Sequence, residues 1–98
     1  MNTLQVFSDA GHAWAKVPLS FIKSAGFQDS ISDYSYMDNE YAYLEEDCDL
    51  AHAYHAITKL NGNAPAIEEY HTEHSPIRSY DRFNVKKVNW TTCKVIGK

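Results

Sequence analysis

Only two cysteines, Cys48 and Cys93, occur in the 98 residues. Two thiols so far apart in the chain make no disulfide framework and fit no zinc spacing, so they read as reduced thiols of a cytoplasmic protein. Long apolar runs are also missing. Nothing approaches the roughly 18–20 consecutive apolar residues of a membrane span, so no membrane partner is expected. The opening "MNTLQVFSDAGHAW" has no basic and apolar signal regions. There is no G-x-S-x-G elbow, no Walker loop, no G-x-G-x-x-G and no H-E-x-x-H. These absences leave no catalytic residue and no cofactor to predict, and a non-enzymatic role is favoured. Internal repeats and low-complexity stretches are absent too.

Basic residues are scarce in the first four-fifths of the chain. Residues 1–77 carry three (Lys16, Lys23, Lys59) against twelve acids, a net −9, whereas residues 78–98 carry six (Arg78, Arg82, Lys86, Lys87, Lys94, Lys98) against Asp81, a net +5. The total is −4. An acidic body with a basic end implies a tail folded back on its own body, a tail meeting a partner such as a second copy in a homodimer, or a contact with nucleic acid. Hydrophobic residues make up 44% of the chain and charged residues 22%, which suits one globular domain with a core of its own. The reading is one α+β domain over residues 1–83 and a basic extension, strand or tail, over 84–98.

Along the chain, "TLQVFSD" and "HAWAKV" read as strands joined by a turn at Asp9, Ala10 and Gly11. Pro18 suits the start of a helix and Gly26 the residue past its end, so "PLSFIKSA" predicts a short helix. "ISDYSY" and "EYAYLE" pair across the turn at Asp38 and Asn39. That register sets Tyr36 opposite Tyr41 and Tyr34 opposite Tyr43, with all four rings on one face and Ser35, Ala42 and Leu44 on the other. "DCDLAHAYHAITKLNG" predicts a helix capped by Asp47 or Asp49, its apolar side formed by Leu50, Ala53, Tyr54, Ile57 and Leu60. Consecutive acids before it read as a helix start. "APAIEEYHTEH" predicts a strand, with Pro65 restricting it to a start or a sheet edge. The architecture that follows is a mainly antiparallel sheet of four to six strands packed against two helices, in the order ββαββα and then one or two strands. The expected core is Val6, Trp14, Val17, Leu19, Ile22, Phe27, Leu44, Leu50, Ala53, Ile57, Leu60 and Ile67.

Three blocks, "SDAGHAWAKVP", "SDYSYMDNEYAYLEEDCD" and "IRSY", resemble a family of small uncharacterised proteins of bacteria, their plasmids and their phages. The resemblance covers residues 5 to about 83. No activity is established for that family, so it carries over no catalytic residue. It implies a cytoplasmic bacterial or phage accessory protein, with residues 84–98 a departure of this chain.

Three function classes follow. The first is protein binding: Tyr34, Tyr36, Tyr41 and Tyr43 with Glu45, Glu46 and Asp49 form an acidic, tyrosine-bearing surface suited to a host or phage protein. Such a surface could inhibit a host nuclease or defence complex by imitating the phosphate charge of DNA. The same tyrosines also suit packing against a helix. The second is nucleic-acid contact through Arg78, Arg82, Lys86, Lys87 and Lys94, interleaved with Tyr80, Phe83 and Trp90. The third is a metal-dependent enzyme built on His12, His52 or His71, although no short block supplies a full ligand set and no metal residue is assigned. Cys48 sits at a helix start, which lowers a thiol pKa, but the surrounding acids raise it.

Overall fold

The computed structural model describes residues 1–97, and Lys98, counted above in the basic end, lies outside them. Strands β1 (Thr3–Ser8) and β2 (Ala13–Pro18) form an antiparallel hairpin, and helix α1 (Leu19–Ala25) follows directly. Pro18 stands at the helix boundary with φ −60°, and Gly26 closes the helix at φ 80°, the left-handed turn that glycine tolerates best. Next come β3 (Tyr36–Asp38), β4 (Tyr41–Glu45), helix α2 (Leu50–Asn61) and β5 (Ala66–His71). A single-turn 3-10 segment, Pro76–Ser79, leads to β6 (Asp81–Arg82), and a small hairpin of β7 (Val88–Asn89) and β8 (Lys94–Val95) ends the chain.

The architecture is α+β: a six-stranded sheet in the order β5-β1-β2-β4-β3-β6, two helices and a two-stranded hairpin. The sheet is mixed, because β5 pairs with β1 in parallel while the other pairs are antiparallel. As an edge strand β5 tolerates Pro65 at its start.

Side-chain alternation sorts the sheet into two faces. Leu4, Val6, Ala15, Val17, Ala42 and Leu44 meet Leu19 and Ile22 of α1 and Ala53 and Ile57 of α2 in one core. Val88 and Val95 join it, so the basic extension packs onto the body. It is also stitched there: the Val95 amide donates to the Asn39 carbonyl at 2.7 Å, and Lys94 lies 3.6 Å from Glu40. The opposite face carries a second cluster of Trp14, Tyr43 and Ile77, with Phe7, Tyr36, Tyr41 and Tyr80 against it. Among the described residues no helix packs on that face; the segment 75–80 lies over part of it.

Several expectations change. The hairpin register is shifted by two residues: Tyr36 faces Tyr43 and Asp38 faces Tyr41, around a tight turn with Asn39 at φ 56°. A shift of two preserves the face of every side chain, so Ser35, Ala42 and Leu44 are still buried together. Tyr34 falls outside the strand, in the turn before it. Tyr36, Tyr41 and Tyr43 cluster with Ile77 of the 3-10 turn, not against a helix, and Tyr34 stays outside the cluster. Leu60 and Ile67, expected in the core, are 68% and 45% exposed. Leu60 belongs to the last turn of α2 and Ile67 to the edge strand, where few neighbours remain to cover them. The acids of "LEEDCD" do not form the first turn of α2; they end β4 and fill the turn before the helix.

Candidate functional site

An open cleft of about 370 Å³ lies at one end of the uncovered sheet face. The β1–β2 turn contributes His12, and Trp14 follows on β2. Tyr34 and Tyr36 come from the entry to β3. Glu45 ends β4, with Asp47 and Cys48 in the turn beyond. Arg78 and Arg82 arrive from the 3-10 turn and β6. The three sequence blocks quoted above therefore converge on one place, although they span positions 8 to 80, and Arg82 joins them from just beyond the last.

Asp9 and Arg78 build the first wall. Asp9 Oδ1 accepts the amides of Gly11 at 3.0 Å and His12 at 3.1 Å, which shapes the turn that presents His12. Arg78 Nη2 donates to the same oxygen at 2.8 Å, and Nε donates to Oδ2, a two-point clamp. The hydrogen bonds from Arg78, ahead of those from the turn amides, hold the Asp9 carboxyl far below the usual carboxylate range. The guanidinium also lies 5.2 Å from the Trp14 ring centroid. A Cβ on Gly11 would stand 3.0 Å from Arg78 Nη2, so any side chain there would press on the guanidinium of the clamp.

Glu45 forms the opposite wall. Its side chain is 8% exposed. Oε2 accepts the amides of Asp47 at 2.9 Å and Cys48 at 3.1 Å, fixing the turn. Oε1 is buried and has no hydrogen-bond partner among the described residues; His12 Nδ1 lies 3.5 Å away. Trp14 Nε1 is likewise buried without a partner. Loss of solvation around the sulfur, then a hydrogen bond to Glu45 and the charges of Glu45, Asp49 and Asp47, push the Cys48 thiol up. That thiol is a weak nucleophile at neutral pH.

The remaining sides are aromatic and basic. Tyr34 is 62% exposed. The Arg82 guanidinium lies 5.0 Å from the Tyr36 ring centroid and donates to the Asp33 carbonyl at 3.1 Å. Beyond the cleft the same face continues into a slot of about 180 Å³ between Phe7, Tyr43, Tyr70 and Tyr80. Burial, then neighbouring Tyr80, Asp38 and Tyr41, push the Tyr43 hydroxyl up to about 12.

Of the proposed partner surface, Tyr34 and Glu46 are exposed, Tyr36 and Tyr41 are half-buried, and Tyr43 and Glu45 are buried. Asp49 is 1% exposed and faces inward: it accepts from the Ser32 amide, the Ser32 hydroxyl and the Ser35 hydroxyl. It is thus a structural anchor, at the helix boundary but with no capping bond to the helix. The five proposed nucleic-acid residues are divided. Arg78 and Arg82 line the cleft, Lys94 sits beside Glu40, and Lys86 and Lys87 lie exposed on a 3-10 turn of the C-terminal segment. Among the described residues the one group with metal-ligating reach is Glu45, Glu46 and Asp47, and it includes no histidine. His52 packs against Phe27 with ring centroids 5.9 Å apart, and His71 shares a 3.0 Å hydrogen bond with Ser8. These histidines do not converge with His12.

Sequence reasoning missed the cleft itself. Trp14 is core, as its pattern predicts, and also lines the cleft, whereas the sequence offers His12 only as a possible ligand and Asp9 only as a turn residue. The available signal was their membership, with Arg78, of the quoted blocks. Compared with known proteins, the chain matches no family model, no curated protein and no solved structure. Among the described residues no helix is long and apolar enough to cross a membrane.

Proposed function

We propose that this is a small bacterial or phage accessory protein that works without catalysis, by binding another protein at the mouth of the cleft. The observation that carries the reading is the convergence of the three blocks on a sheet face that no helix covers. Tyr34 stands exposed there with the exposed acid Asp47, and the exposed Glu46 lies next to Asp47. An exposed tyrosine offers a large rigid contact at low entropic cost, and adjacent carboxylates select a basic partner surface. A nuclease or defence complex with a DNA-binding groove has such a surface, so inhibition by occupying that groove is the specific role proposed.

The test compares tagged wild-type protein with a Tyr34→Ala, Glu46→Lys, Asp47→Lys variant in pull-downs from bacterial lysate, with nuclease added. All three residues are exposed, so the variant should fold. A stoichiometric protein held by wild type and lost by the variant supports the reading. A partner held equally by both rejects this surface. The nucleic-acid alternative through residues 78–98 as one basic surface draws less support, because its bases are dispersed: Arg78 and Arg82 line the cleft, Lys94 lies beside Glu40, and Lys86 and Lys87 sit on a separate 3-10 turn.

A further inference from the structure

We infer that the interior of the cleft is a binding site for a nucleoside phosphate, either a free nucleotide or the terminal nucleotide of a single strand. The site shares Tyr34 and Asp47 with the proposed protein-binding mouth, and it is tested separately, with small ligands and no protein partner. Three chemistries meet in the cleft, and together they match that ligand class.

The first is ring stacking. Tyr34 is 62% exposed, and Tyr36 lies deeper, so a planar base has an open aromatic face to rest on. Base–aromatic stacking works for every base because each has a π-face. The second is anion binding. Arg82 is exposed, and its guanidinium donates to the Asp33 carbonyl through Nη1. Arg78 directs two of its five N–H groups to Asp9, which leaves donors for a phosphate. His12, half exposed, adds a further nitrogen at the same wall. The third is hydrogen-bond acceptance. Glu45 Oε1 is buried and makes no hydrogen bond among the described residues, with His12 Nδ1 3.5 Å away, and Asp47 stands exposed nearby. Exocyclic amino groups and ring N–H groups of bases donate to such carboxylates.

The lining carboxylates Glu45 and Asp47 match the guanidinium groups of Arg78 and Arg82 in number, so an anion is received locally at the arginines and not by a net positive cleft. Asp9 is neutralised by Arg78, and Glu45 lies beside His12. Arg82 is left as the cation without a carboxylate partner among the ion pairs of the described residues. A volume of about 370 Å³ falls within the roughly 300–1,000 Å³ of small-ligand sites. A purely cationic ligand would meet the two guanidinium groups, and a purely apolar one would strand the carboxylates.

The site is tested by calorimetric titration, with tryptophan fluorescence in a Trp90→Phe background, which reports Trp14 alone, as a second readout. The probes are the four ribonucleoside monophosphates, adenosine, inorganic phosphate, and a ten-base single strand with and without a 5′-phosphate. At least one monophosphate should bind saturably and more tightly than adenosine or phosphate alone. Tyr34→Ala and Arg82→Ala should each weaken it about 5- to 100-fold, the scale of one lost stack or charged contact. Their thermal midpoints should stay near wild type, since both side chains are exposed, and Lys86→Ala should bind like wild type. Tighter binding of the phosphorylated strand assigns the site to strand ends, and tighter binding of the monophosphate assigns it to free nucleotides. No saturable binding below about 10 mM, a loosely held ligand by ordinary affinity arithmetic, overturns the inference. Phosphate binding as tightly as any nucleotide, or binding untouched by both substitutions, overturns it too.

Discussion

Ser35 joins the buried Asp49 carboxylate to strand β4: its hydroxyl donates to Asp49 Oδ2 and accepts the Glu45 amide at 2.9 Å. The Ser32 amide and hydroxyl complete the set around the same carboxylate. A carboxylate 1% exposed stays tolerable only because these donors replace water. The loop into β3, the end of β4 and the start of α2 are therefore one polar unit, and that unit fixes Glu45 and the cleft's acidic wall.

Asp49→Ala should accordingly cost about 2–4 kcal/mol, since it strands several buried donors at once. Ser35→Ala should cost less, about 1–3 kcal/mol, because Asp49 keeps its bonds from Ser32. Urea melts of the two variants and wild type check this. A loss below about 0.5 kcal/mol for Asp49→Ala, the scale of an ordinary surface change, would remove the anchor from the account.

Asp9 and Arg78 give a pH signature with a definite sign. The clamp depresses the Asp9 pKa below its ordinary value of 3.8. A depressed carboxylate contributes stability that is fully present above the unfolded-state pKa and is lost as pH falls toward the folded one. Wild type should exceed Arg78→Ala by a constant margin from about pH 5 to 8, and the margin should shrink below about pH 4. Arg78→Lys should recover little, since an ammonium cannot reproduce the two-point geometry. Denaturant melts across pH 3–8 measure the margin; one that grows on acidification contradicts the assignment.

Gly11 belongs to the same contact. Its absent side chain leaves room for Arg78 Nη2, 3.0 Å from where a Cβ would stand. Gly11→Ala should destabilise wild type, but have clearly less effect in the Arg78→Ala background, where the neighbour is gone. Such non-additivity is the mark of direct contact. Equal costs in both backgrounds would place the effect of Gly11 in the turn itself.

Cys48 should alkylate slowly despite its exposure. The raised thiol pKa lowers the thiolate fraction at neutral pH, and the thiolate is the reacting species. Iodoacetamide should label position 48 more slowly in the folded protein than in urea at pH 7.5, and the rate should climb at higher pH than for the unfolded chain. Glu45→Gln should move that climb to lower pH by removing the nearest charge. Faster labelling when folded would show an activated thiol and reopen nucleophilic chemistry.

Much of the fold was legible because the signals were local. Pro18 and Gly26 bracket α1, and the alternation in β2 and β4 separates the two faces correctly. The hairpin register failed where parity gives no help, since a two-residue slip leaves every side chain on its face. The site was legible only as scattered blocks. Whether Asp49 caps a helix or anchors a loop depends on Ser32 and Ser35 folding over it, a tertiary fact that helix signals do not encode. Likewise Glu45 looks like one more acid in a solvated run until β4 carries it into the wall of the cleft. Arg78 reads as part of a basic tail until it meets Asp9 across 69 positions.

The end of α2 gives the sharpest contrast between pattern and packing. Ile57 and Leu60 both lie on the apolar side of the helix by their spacing, yet Ile57 is fully buried and Leu60 is 68% exposed. The last turn is pinned elsewhere: Asn61 donates to the Met1 carbonyl at 2.7 Å and to Asn2 at 3.0 Å. Edge strand β5 has every residue exposed, so it offers Leu60 no covering neighbour. Ile57→Ala should therefore cost about 2–5 kcal/mol through lost burial and a residual cavity. Leu60→Ser should stay within about 0.5 kcal/mol, as exposed substitutions do. If Leu60→Ser instead costs above about 2 kcal/mol and that cost falls on dilution, the side chain is covered by a second copy, because only association makes stability depend on concentration. A large cost that is independent of concentration would mean that Leu60 is packed within its own chain, and the exposed end of α2 would be wrong.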